Sequence, residues 1–121
     1  MKITLANGTK LEAIKVDGGK RFVQNAQRDV LAFWFDKSAV SFEKLDAAFR
    51  DAQNTERITI AGDDGTEALH EGYILRLSLA LVPVVVTPET ANAPAVTEER
   101  YSVEMAQETY TERLIRQITT K

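Results

Sequence analysis

Val30-Leu31-Ala32-Phe33-Trp34-Phe35 is an unbroken run of six apolar residues between two aspartates. In an extended chain successive side chains point to opposite faces, so Leu31, Phe33 and Phe35 share one face while Val30, Ala32 and Trp34 share the other. Both faces are apolar. Such a strand belongs in the interior of a sheet or at an interface, and the rest of the chain has to supply its neighbours.

Upstream, Ile3 and Leu5 alternate with polar residues, Asn7-Gly8 carries the signature of a two-residue type I′ turn, and Leu11 to Val16 resumes a strand pattern. Asp17-Gly18-Gly19 reads as a second turn, with Arg21 to Ala26 as the returning strand. Downstream, Ser41 precedes a helical period in which Phe42, Leu45, Phe49 and Ala52 line one face. Its hydroxyl suits the unbonded first-turn N–H groups. Asn54 is placed to end that helix before a strand at Arg57-Ile58-Thr59-Ile60.

Gly62-Asp63-Asp64-Gly65 reads as a tight turn. Tyr73, Leu75, Leu77, Leu79 and Leu81 then alternate against Arg76 and Ser78, which predicts a long amphipathic strand. Pro83 cannot donate to a ladder and puts that strand at a sheet edge or a bulge, with Val84-Val85-Val86 continuing beyond it. After a flexible connector at about 87–97, Tyr101, Val103 and Met105 alternate as a last strand. Thr109-Tyr110-Thr111-Glu112 has capping-box spacing and opens a C-terminal helix striped by Tyr110, Leu114 and Ile118. The expected fold is α+β: one β-rich domain over 1–121, mainly antiparallel, with one internal helix and a short C-terminal helix.

Composition narrows the chemistry. The 121 residues include no cysteine, which removes disulfides, thiolate metal sites and a cysteine nucleophile. A net charge of −3 without clustered Lys and Arg argues against nucleic acid as a partner. Leu77 to Val86 is too short to cross a bilayer as a helix, so no membrane partner is expected, and the polar first eight residues do not form a secretory signal.

The candidate reactive groups lack partners. His70 is the single histidine, without the second one that a zinc-protease helix requires, and reads as a surface or turn residue. Asp63, Asp64 and Glu67 miss the EF-hand spacing and read as solvated turn acids. Gly18-Gly19-Lys20-Arg21 lacks the phosphate-loop spacing, and none of Ser38, Ser41, Ser78 and Ser102 lies in a nucleophile elbow. Neither a catalytic residue nor a cofactor or metal ligand is expected, and the protein is read as non-enzymatic.

The remaining signals concern surfaces. Trp34 either anchors a contact patch or lies under a second layer. Tyr110, Leu114, Ile115 and Ile118 give the last helix more apolar surface than a short terminal helix easily buries. It either docks on its own sheet or packs against another chain. Trp34, Tyr110, Leu114, Ile115 and Ile118 are therefore the candidate interaction residues.

Ile3 to Ile14, Gln27-Arg28-Asp29-Val30-Leu31-Ala32-Phe33, and Tyr101 to Tyr110 together resemble small uncharacterised proteins of tailed bacteriophages and prophages of Gram-positive bacteria, encoded among tail and baseplate components. The likeness spans most of the chain and rests on packing and turn residues. It implies a structural or assembly role in the virion tail or baseplate after assembly in the host cytoplasm, with other phage tail proteins and further copies of the chain as partners. The alternative is a carbohydrate or cell-wall binding module in which Trp34, Tyr73 or Tyr101 stacks on sugar rings. A hydrolase using His70 and scattered carboxylates is a third class.

Overall fold

The structure, a computed structural model, describes residues 1–119. Strands β1 (Lys2–Leu5), β2 (Lys10–Glu12), β5 (Arg57–Ala61) and β6 (Glu67–Glu71) form one antiparallel sheet in the order β2-β1-β5-β6. Strands β3 (Lys15–Val23), β4 (Ala26–Asp36), β7 (Leu75–Thr87) and β8 (Val96–Ala106) form the other, in the order β3-β4-β8-β7. Helix α1 (Phe42–Arg50) and the single turn α2 (Ala52–Thr55) follow β4, and α3 (Tyr110–Thr119) follows β8. The fold is thus α+β, with two four-stranded antiparallel sheets, an internal helix and a C-terminal helix.

Strand β4 is interior, between β3 and β8, the first of the two positions its apolar faces allow. Leu31, Phe33 and Phe35 join Val103 and Met105 of β8, Ile3 and Leu5 of β1, Ile58 and Ile60 of β5, and Leu45 and Phe49 of α1 in one core. Phe33 is fully buried, its ring centroid 6.5 Å from that of Phe35 and 5.5 Å from that of Phe49. Ser41 caps α1, its hydroxyl accepting from the Lys44 N–H at 3.1 Å.

The turns depart from the sequence reading. Gly18 and Gly19 lie mid-strand in β3, where nine residues pair with β4, and the reversal falls at Gln24-Asn25, whose φ values are +49° and +64°. Two consecutive left-handed residues make a two-residue hairpin loop, and asparagine tolerates that conformation without being glycine. Leu11 to Val16 is likewise not one strand. The chain leaves the first sheet after Glu12 and enters the second at Lys15, with the Ile14 N–H donating to the Trp34 carbonyl at 2.7 Å. At Asn7-Gly8 only Gly8 has positive φ (+88°), and the Asn7 carboxamide accepts the Thr9 N–H at 3.0 Å, so the link is not a type I′ turn.

Asn54 does not end α1. Asp51 is extended and its carboxylate accepts the Gln53 N–H at 2.9 Å, which stops α1 at Arg50 and starts α2 with Asn54 inside it. Glu67–Glu71 forms an unexpected strand, so His70 is on a ladder opposite Ile58 rather than in a turn. In β7 a bulge between Arg76 and Ser78 shifts the phase, and Arg76 reaches Asp46 of α1 at 2.6 Å from the core-facing side. β7 is an edge strand, which accommodates Pro83 opposite Glu99. It runs to Thr87 and β8 begins at Val96, so the ladder narrows the 87–97 connector to the intervening loop.

Candidate interaction surface

Where β8 ends, two backbone bonds steer the chain out of the sheet. The Gln107 N–H donates to the Asp29 carbonyl and the Glu108 N–H to the Gly72 carbonyl, both at 2.8 Å. Gly72 has φ +81°, and a Cβ there would stand 3.4 Å from Glu108 Cγ, so the crossing favours glycine. The capping box then forms as its spacing predicts. The Glu112 carboxylate accepts the Thr109 N–H at 2.8 Å, and the Thr109 hydroxyl accepts the Glu112 N–H at 3.2 Å.

All three charged residues of α3 turn toward the body of the protein. Glu112 forms a two-pronged pair with Arg28, one arm at 2.9 Å and the other shorter. Arg113 reaches Glu71 of β6 at 3.3 Å. Arg116 takes both carboxylate oxygens of the buried Glu108, at 2.8 and 3.0 Å, and stands 3.5 Å from Glu56. Arg28 is the hub. Its side chain is 1% exposed and also donates to the carbonyls of Val23 at 2.8 Å and of Gln24 and Gln107 at 3.2 Å.

The hydrogen bonds from Arg28, reinforced by the Thr109 N–H, pull the Glu112 carboxyl from its ordinary 4.5 down to about 2. The folded form therefore favours the ionised carboxylate. The stabilisation is complete above pH 4.5 and is lost as pH falls toward 2. Protection factors of the α3 amides, measured against the intrinsic exchange rate at each pH, are expected to fall over that window in the native chain and to lack that step in Glu112→Gln; parallel profiles would refute the assignment.

With its charges spent inward, α3 turns its apolar stripe outward, the reverse of the usual amphipathic arrangement. Tyr110 is 76% exposed, Ile118 71%, Ile115 57% and Leu114 41%, and no residue of α3 is buried. Trp34 is elsewhere. It lies half-buried on the face of β4 turned from the core, opposite Ser102, with the Lys15 ammonium 5.4 Å from its ring centroid. Val30, which pairs with the last residue of β8, is four residues away, ~13 Å at the rise of a strand. The candidate residues therefore make two separate surfaces.

The three aromatics considered for sugar stacking share no surface. Tyr73 is buried with its ring edge-on to His70 at 5.9 Å, and Tyr101 packs beside the core against Phe42 at 6.0 Å. Trp34 is on the opposite side of the sheet. Asp64 accepts from the Thr66 hydroxyl and from the Thr66 N–H, which holds its carboxyl below the usual range, as expected of a turn acid. Among the described residues no group of three His, Cys, Asp or Glu side chains is placed to hold a metal ion.

Two features lay beyond the sequence reading, which carried the strand through Val84-Val85-Val86, as found, but not past the end of its sheet neighbours. Beyond the Asp36–Arg100 pair, β7 and β8 continue without a third strand as a ribbon exposing Val85, Val86 and Val96. The valine run after Pro83 was the available signal. Arg28 had none, since its carboxylate partner is 84 residues away. No protein-family model, curated protein or solved structure matches the chain.

Proposed function

We propose that the protein is a non-enzymatic structural or assembly module of a bacteriophage or prophage tail or baseplate, acting through protein–protein contacts. The observation that carries the assembly reading is α3. A helix anchored by its charged face presents Tyr110, Ile115 and Ile118 to whatever adjoins it. Exposed apolar groups gathered on one rigid element characterise association sites. The tail assignment comes from the sequence likeness in Ile3–Ile14, Gln27–Phe33 and Tyr101–Tyr110. Its partners are then other tail proteins and further copies of the chain, met in the host cytoplasm and retained in the virion tail.

The test is quantitative mass spectrometry of purified virions together with a pull-down from phage-induced cells. The chain should be recovered with the virion and should capture tail proteins. Absence from virions combined with no tail protein captured would refute the tail assignment.

A further inference from the structure

We infer that a second copy of this chain covers the outward face of α3, in a two-fold contact where the apolar ridge of each helix enters the cleft between α2 and α3 of the other. The inference deepens the assembly reading and rests on it, but uses only the geometry of the helix.

Shape supplies the first argument. Beside the ridge runs a cleft of about 870 Å³, walled by Ala52, Gln53 and Glu56 on the α2 side and by Leu114 and Ile118 on the α3 side. Leu114 and Ile118 thus belong to ridge and cleft alike. A two-fold contact requires one patch to complement itself, each protrusion meeting the other copy's recess. A ridge and a recess side by side on one helix meet that condition.

Charge supplies the second. The described part of α3 carries Glu112, Arg113 and Arg116 as its charges, each paired with the body, so the ridge meets its own copy without like charges facing. In the cleft wall Glu56 stands 3.5 Å from Arg116, a cation that it shares with the buried Glu108. Asp51, exposed at the rim, stays solvated while its carboxylate caps α2. A contact between unlike surfaces would more usually leave charges on the ridge to select its partner.

Size sets the strength. A ten-residue helix is ~15 Å long, and two such faces with their α2 turns bury on the order of 1,000 Å², the size of a weak, transient interface. The dimer is therefore reversible and concentration-dependent.

Sedimentation of the full chain over a concentration series should show the average mass rising from 13.5 kDa toward twice that value. Ile118→Asp and Ile115→Asp should each hold the chain monomeric where the native protein is dimeric, with unchanged circular dichroism, because both side chains are more than half exposed. The chain has no cysteine, so Gln53→Cys and Ile115→Cys can be mixed without background. Oxidative cross-linking should then be greater in the mixture than in either variant alone.

A strict monomer at every concentration overturns the inference. So does a dimer indifferent to both aspartates, or a mixture that cross-links no better than its components. These outcomes are separate from the tail assignment: a monomeric chain found in virions would remove this contact only, and a dimer that is absent from virions and captures no tail protein would remove the tail assignment only.

Discussion

Replacing Phe33 with alanine is expected to cost about 3–5 kcal/mol, the largest effect of any single side chain considered. Phe33 is fully buried on the core face of β4 and meets Phe35 and Phe49 ring to ring. It also pairs in register with Val16 and Val103, so neighbours from three strands and a helix surround the void. Two sheets and a helix cannot all close on one cavity, and relaxation recovers little. Against a total stability of roughly 5–15 kcal/mol, the loss should lower the melting temperature by about 15 °C.

Trp34, the next residue, gives the control. It lies half-buried on the other face with the Lys15 ammonium over its ring, outside the core cluster, so Trp34→Ala should cost about 1 kcal/mol. Urea denaturation of both variants decides the matter. Equal losses would mean that the outer face of β4 is a second core.

Arg28→Met is expected to cost about 3 kcal/mol and to release α3 before the rest of the fold. Methionine keeps much of the apolar stem but none of the donors. The carbonyls of Val23, Gln24 and Gln107 lose their partner, and so does the Glu112 carboxylate. The cost sits near the low end for a broken buried pair because Glu112 is 42% exposed and water can resolvate it. Hydrogen exchange should show the α3 amides unprotected while those of β4 and β8 remain slow. Arg28→Met combined with Glu112→Gln should lose less than the sum of the two separately, since they share one interaction. An α3 as protected as in the native chain would refute the role assigned to Arg28.

Several elements were legible because their determinants are local. The two apolar faces of Val30–Phe35 pointed to a central or an interface strand, and it is central; Ser41 and the Thr109–Glu112 spacing marked helix starts, and Pro83 marked an edge or a bulge, and it is on an edge. The errors share a cause. Gly18-Gly19 and Gln24-Asn25 are both chemically competent to turn, and the choice between them depends on the nine-residue ladder that β3 gains by running straight. The leucine alternation after Tyr73 was real, but a bulge opposite β8 changed which side chains face inward. Residues 67–71 carry no strong strand pattern and pair because β5 offers them an edge.

For the candidate surface the division is the same. Local spacing puts Tyr110, Leu114, Ile115 and Ile118 on one helical stripe and Glu112 in a capping box, and the residue list holds no cysteine. That the stripe faces outward follows from packing alone. That outcome depends on Arg28, Glu71 and Glu108, which reach the charged side of α3 from β4, β6 and the turn before the helix. A helical period fixes which residues lie on one face. Which face turns inward depends on partners that adjoin only after the sheets have formed, and here ion pairs at the buried Arg28 and Glu108 outweigh the apolar stripe.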